Sequence, residues 1–295
     1  MRIIKASVEI FDIEDEMINW EAARKSEFCG RVCYNSISRI VEGSATKFVL
    51  EKADMGHGSI LEHGPIYLKR INASISPDKA DEIRRVLDSV YTVIGYGDVD
   101  IYTNLRVVQK EAPNLFRAIL QRDSIEAWGI EFVRVPDNDP NRLVTVKYII
   151  DRGVSHETVR NRGDWPGNSF SQESTRYCNF SKEKEGSEIT VIEPCFWDSE
   201  SEEYKIWRDC CEYVEKGYMK LISLGATPQE ARSVLPNSLK TILMMTSSLI
   251  GWHDFLRLRT PVAAHPQMRE VSIPQLEMFN EAFPGRFDDI DPETL

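Results

Sequence analysis

Residues Leu143 to Ile150 (LVTVKYII) form the most strand-prone run of the chain, dense in β-branched side chains. The turn-forming stretch VPDNDPN at 135–141 precedes it. A strand this apolar has to be covered by other elements. The next stretch of chain is its chemical opposite. From Ser155 to Phe180 the chain reads SHETVRNRGDWPGNSFSQESTRYCNF, a run of hydroxyls and amides carrying Arg160, Arg162 and Arg176, with Arg152 just ahead of it. It lacks the alternating Lys/Glu texture of a solvated helix. The whole chain carries a formal net charge of -11. Guanidiniums gathered in an acidic chain need an anionic partner. The planar arginine fork suits phosphate, which points to a nucleotide phosphate and a dinucleotide cofactor. The alternative is a set of structural ion pairs with the chain's own carboxylates.

Bulk properties bound the function classes. A length of 295 residues suffices for one elaborated domain with a sizeable core. No apolar run is long enough to span a membrane, and the acidic turn of the N-terminal MRIIKASVEIFDIEDE is unlike a secretory signal. The negative charge argues against nucleic-acid or anionic-membrane partners. Six cysteines without CxxC spacing suit a reducing, cytoplasmic compartment. His57 and His63 in GHGSILEH lie six apart, do not share a helix face and have no obvious third ligand, so no metal is expected. Neither GxGxxG nor GxxxxGK[ST] nor a Gly-x-Ser-x-Gly elbow occurs. Cys178 has no base near it in sequence and reads as a small buried residue rather than a nucleophile.

Periodicity predicts strands over 2–10, 65–74 and 189–192 beside the one at 143–150, and a further strand over 102–108. Helices are predicted over 19–34, from Ala45 and Thr46 to the glycines at 56 and 58, over 77–93, 114–122 and 199–224. Another starts at Thr227 with Pro228 behind its cap and stops at Pro236. One long helix is predicted from Ser238 to about Arg259, and a last helical region beyond Pro261 and Pro266. The pattern predicts an α+β protein, with a mixed sheet flanked by long helices.

Three constellations could carry chemistry. Arg160 and Arg162, two apart on a helix, would point to different sides and grip different parts of a ligand, or pair with carboxylates. In FSQESTRY, Gln172, Ser174, Thr175 and Arg176 could hold phosphate oxygens, or simply form a capped turn. Arg232 lies one turn into the Thr227 helix, and Arg257 and Arg259 end an apolar helix; each also has an ordinary structural explanation in ion pairing or the helix dipole.

Together these pieces resemble the flavin-dependent thymidylate synthases. SHETVRNR…SFSQESTRYCNF resembles that family's signature of Arg-His-Arg, seven residues, then Ser and soon Arg-Tyr. GRVCYNS, GHGSILEH, PQEARSVLPNSLKT and FLRLRTPVAAHPQMRE resemble its other blocks, in order. The resemblance covers about 1–72, 143–195 and 215–275, and leaves 75–141 as an insertion within a single domain. It implies a homotetramer with active sites shared between subunits, which methylates C5 of dUMP using FAD, with methylenetetrahydrofolate as carbon donor and NADPH as reductant. It implies catalytic roles for Arg259, which would polarise the uracil ring, and His57. Gln172, Ser174, Thr175, Arg176, Arg232 and Glu157 would bind the nucleotide. Ser59, Arg160, Asn161 and Arg162 would hold FAD.

The departures fall on the flavin side. Asn161 replaces the middle histidine. Eleven residues rather than seven separate Arg162 from Ser174, the extra ones lying within GDWPGN at 163–168. The family's Asn-x-Arg reads Ser248, Leu249, Ile250. Loss of a charge-assisted hydrogen bond at Ile250 removes about 1.5–3 kcal/mol. Two alternatives therefore stand beside the synthase reading: a paralogue with altered pyrimidine-nucleotide chemistry or substrate, and a non-catalytic nucleotide-binding subunit that has lost FAD.

Overall fold

The structure, a computed structural model, describes residues 1–11, 18–95, 99–121, 123–163, 167–182 and 186–294. In chain order the elements are β1 (Arg2–Ile4), β2 (Ser7–Phe11), α1 (Ile18–Cys33), α2 (Ser44–Asp54), a 3-10 segment Gly58–His63, β3 (Pro65–Arg70), α3 (Pro77–Leu87), β4 (Val93–Ile94), β5 (Ile101–Asn104), α4 (Leu105–Glu111), α5 (Pro113–Gln121) and β6 (Ile130–Phe132). Then come β7 (Leu143–Asp151), α6 (Arg152–Thr158), β8 (Ser169–Gln172), β9 (Thr190–Ile192), α7 (Glu202–Ser223), α8 (Pro228–Ala231), β10 (Lys240–Ser248), α9 (Leu249–Arg259) and α10 (Pro266–Ala282). The expected α+β class is borne out. One antiparallel sheet runs β2-β7-β10-β8, a second β4-β5-β3-β6, and β1 pairs with β9 in parallel.

The first sheet is built on the long β7–β10 pair, in register from Leu143 opposite Ser248 to Asp151 opposite Lys240. One face of β10 sends Leu243 and Met245 into a core with Trp252, Phe255, Phe279 and Phe287 of the C-terminal region. The other face sends Met244 against Cys29 and Val32 of α1. A strand buried on both faces shows no polar alternation, so its sequence looks like a buried helix. That is why the helix predicted from Ser238 to Arg259 is instead strand β10 followed by helix α9. Ser248 ends the strand and its hydroxyl accepts from Gly251 N at 3.1 Å, capping α9.

Other expectations also shift. The strand predicted over 2–10 divides between two sheets. The strand predicted over 102–108 ends at Asn104, whose side chain accepts from Val107 N at 3.1 Å and starts α4. Helix α6 ends at Thr158, so Arg160 and Arg162 are not on a helix. Helix α8 carries the expected Thr227–Glu230 capping box with Pro228 behind it, but stops at Ala231, putting Arg232 at its C-terminal end.

The segment after β3 is tied to the N-terminal half. Strand β5 pairs with β3, and Leu105 N donates to Gly64 O at 2.9 Å. Ile83, Val86, Ile101, Leu105, Leu115 and Ile119 share one core with Phe48, Val49, Leu61 and Leu68. Among the described residues, no helix is long and apolar enough to cross a membrane.

Candidate functional site

Strand β8 is at the edge of its sheet, hydrogen-bonded to β10 and, on its other side, facing the 3-10 segment Gly58–His63. His63 joins the two. It is fully buried, 3.0 Å from Ser171 Oγ and 2.7 Å from Thr246 Oγ1, which in turn lies 2.7 Å from Thr145 Oγ1. Burial pushes its imidazole down to about 3, so it is neutral and can donate to one hydroxyl while accepting from the other. His63 is thus a structural pin rather than a titrating site group.

In front of that pin opens a cleft of about 520 Å³. Its walls come from the end of α1 (Cys33, Tyr34), the turn at Gly56–Ile60, β8 (Phe170, Ser171, Gln172), Tyr177 and Arg106. His57 Nδ1 lies 3.0 Å from the Tyr34 hydroxyl. The Tyr34 and Tyr177 rings are 5.5 Å apart and make an aromatic wall. Gln172 donates to Ser155 Oγ at 2.8 Å, so its amide is oriented by α6. Burial raises the Cys33 thiol, which keeps it protonated rather than nucleophilic.

The turn after β8 is a second cluster. Ser174 N donates to Cys33 O at 3.1 Å, pinning the turn to α1. Arg176 Nε donates to Gln229 Oε1 at 2.9 Å, and Arg232 Nη1 reaches Thr175 Oγ1 at 3.5 Å. Beneath them, Glu173 is buried and paired with Lys240 at 2.8 Å, and its carbonyl accepts from Arg152 at 3.3 Å. Burial pulls the Arg152 guanidinium below its usual value; Glu173 opposes this and Arg232 adds to it. Cationic groups from β8's turn, α6, α8 and β10 thus converge on one patch.

Arg259 also reaches α6, where its Nη2 donates to Glu157 O at 2.9 Å. Arg259 Nε is buried and has no hydrogen-bond partner among the described residues. Arg160 and Arg162 are exposed on the loop beyond α6. Asn161 is buried, and its side-chain oxygen accepts from Gly163 N at 2.9 Å and Asn168 Nδ2 at 2.8 Å, so this residue shapes the loop. The central residues 164–166 of GDWPGN lie outside the described residues. Ile250 is 42% exposed on α9. Cys178 is buried, as expected. No cluster of three or more metal-ligating side chains occurs among the described residues.

One chain therefore brings His57, Ser59 and Gln172 to the cleft, Ser174, Thr175, Arg176 and Arg232 to the turn, and Glu157 with Arg259 together on α6, the helix whose Ser155 holds Gln172. Sequence reasoning missed Tyr34, Tyr177 and Arg106 as cleft residues. Arg106 carried no signal, since it fell in a predicted strand of a segment with no matching motif.

The fold and these clusters define an α+β protein with arginines and hydroxyls gathered on the turn after an edge strand. Residues 142–285, which contain that turn and its partners, match the family described as thymidylate synthase complementing protein. The chain is 27% identical over 161 residues to a flavin-dependent thymidylate synthase of Corynebacterium glutamicum, covering 50% of this chain and 60% of that protein. It is 26% identical over 146 residues to one from Geobacter sulfurreducens, with the same two coverages of 50% and 60%. To one from Pyrococcus furiosus it is 29% identical over 141 residues, 48% of this chain and 53% of the relative. The chain thus spans at most 60% of the length of these relatives.

Proposed function

We propose that this protein is a flavin-dependent thymidylate synthase that methylates C5 of dUMP, with methylenetetrahydrofolate as carbon donor and NADPH as reductant. The observation that carries this reading is the convergence of Arg176 and Arg232 on the Ser174–Thr175 turn inside the matched region. Two guanidiniums and two hydroxyls on one turn suit a nucleotide phosphate. Gln172, held by Ser155, offers an amide to the pyrimidine edge. Arg259 has a buried donor without a partner among the described residues, suited to stabilising negative charge that develops on the ring as C5 becomes nucleophilic.

The cleft fits a flavin. Tyr34 and Tyr177 would hold its ring, and His57 and Ser59 would bind its polar edge; the cleft's volume lies within the usual range for such sites. FAD, when bound there, supplies the redox chemistry, while the chain's residues bind and orient. The assembly that goes with this reading is a homotetramer in which neighbouring subunits complete each site.

A second reading is favoured by one observation. Ser248 acts as the cap of α9, Ile250 is apolar, and Asn161 is taken up by its loop, so three positions expected to contact flavin do not offer themselves to it. A paralogue with altered pyrimidine chemistry would look like this.

Titration of the purified protein with FAD and with dUMP, together with complementation of a thymidine-requiring host, separates the two. Growth without thymidine and tight binding of both ligands is expected. A thermal shift with dUMP but none with FAD, and no growth, would overturn the synthase reading in favour of the second.

A further inference from the structure

The cleft has one Arg or Lys among its described lining residues, and it comes from outside the matched region. Arg106 lies on α4, in the segment between β3 and β7. Its position is fixed by the backbone: β5 pairs with β3, Leu105 N donates to Gly64 O at 2.9 Å, and Asn104 caps the helix it starts. Leu105, Val107 and Val108 are buried in the N-terminal core, which anchors the helix and leaves Arg106 turned out over the 3-10 segment. There its Nη1 pairs with Glu62, and its Nε passes so close to Gly58 that a Cβ on that glycine would lie 3.1 Å away. The guanidinium is therefore cradled against the same turn that presents His57 and Ser59.

This pair is half exposed, with side-chain exposures of 49% for Arg106 and 25% for Glu62, so water screens it and a better anion can displace the carboxylate. The other described lining side chains are tyrosines, hydroxyls, a thiol, an imidazole and an amide, with Ile60 and Phe170. Lys52 and Arg176 lie against the Tyr34 and Tyr177 rings, 4.6 Å and 5.5 Å from their centroids, but among the described lining residues Arg106 is the cation open to a phosphate that runs out along the rim.

We propose that Arg106 is the phosphate-binding and specificity-determining residue of this cleft, releasing Glu62 to pair with the phosphate of a bound flavin nucleotide. This inference rests on the flavin reading above for the identity of the ring. The shared chemistry it requires is a phosphate ester on a planar heterocycle, which dUMP would also supply. On this reading the segment at 75–141 supplies the cleft with a cationic contact that the matched region does not.

The test measures binding of FAD, riboflavin, dUMP and deoxyuridine to the full-length wild-type chain and to the R106Q, R106K and E62Q variants. R106Q is expected to weaken FAD by about 10- to 100-fold, the loss of one charge-assisted bond, while riboflavin affinity stays within about two-fold. R106K should recover part of the loss, because a point charge remains without the fork. E62Q should bind FAD as tightly as wild type or more tightly. Phosphate dependence that is lost for dUMP and not for FAD supports the residue's role and moves it to the substrate. If wild type binds dUMP but no flavin, and dUMP binding ignores R106Q, both the flavin reading and this inference fall. FAD binding that is equal in wild type and R106Q, with dUMP binding equally unmoved, overturns this inference alone. So does an equal loss of FAD and riboflavin, which would mean a merely structural role.

Discussion

At the residue scale, two side chains with opposite burdens make the sharpest predictions. Arg259 donates to a carbonyl and leaves Nε buried without a partner among the described residues. Arg259→Ala should cost about 1.5–3 kcal/mol of stability, the worth of one bond from a charged donor, while turnover of dUMP falls by several powers of ten. Turnover near the wild-type rate in a folded variant would remove this residue from the chemistry. His63 works the other way. Its buried imidazole is held down to about 3, below the usual 6.5 of the unfolded chain. A depressed base contributes stability above pH 6.5, which is lost as the pH falls toward 3, at about 1.4 kcal/mol per pH unit. Urea unfolding of wild type and His63→Gln at pH 7, 6 and 5 should show the steeper loss in wild type. Parallel slopes would mean another group controls the acid limb.

At the element scale, β10 carries the fold. It bridges β7 and β8, packs α1 on one face and α9 with α10 on the other, and ends by capping α9. Trp252, fully buried, packs against Phe255 and Phe279 beneath it and donates to Val144 O at 3.0 Å. Trp252→Ala should cost about 3–5 kcal/mol in chemical denaturation. Ser248→Ala removes a helix cap and should cost about 1 kcal/mol. A neutral effect of the second change would mean that the strand, not the cap, fixes where α9 begins. The close approach of α1, β3 and α4 at Gly64 is equally specific. A Cβ there would lie 2.6 Å from Ala22 O, so Gly64→Ala should disturb the junction that also sets Arg106 over the cleft.

At the scale of the whole molecule, the expected site residues run from His57 to Arg259, and the fold gathers them at the cleft, the turn after β8 and helix α6. Native mass measurement should give four copies, and mixing Arg259→Ala chains with Arg176→Ala chains should recover part of the activity that each lacks. No recovery in mixed assemblies would argue for sites complete within single subunits. The order of the chemical blocks was legible before the fold was known, because identity and spacing of polar residues are properties of the string. So were β7, the cap and proline of α8, and the long α7, each written in a local pattern. Arg106 was illegible, since its role depends on a backbone bond between Leu105 and Gly64 and on nothing in its own neighbourhood.

The sequence alone determined an α+β chain with a cationic, hydroxyl-rich turn after an apolar strand, and the family those blocks resemble. Tertiary structure decided that KTILMMTSS is a central strand, that Asn161 shapes a loop, and that a cleft forms between residues as distant as Tyr34, Arg106 and Gln172. The reason is one of range. Caps, turns and amphipathic stripes are settled within a few residues. A strand buried on both faces gains its hydrogen bonds and its cover from segments far away along the chain, and its own periodicity does not record them.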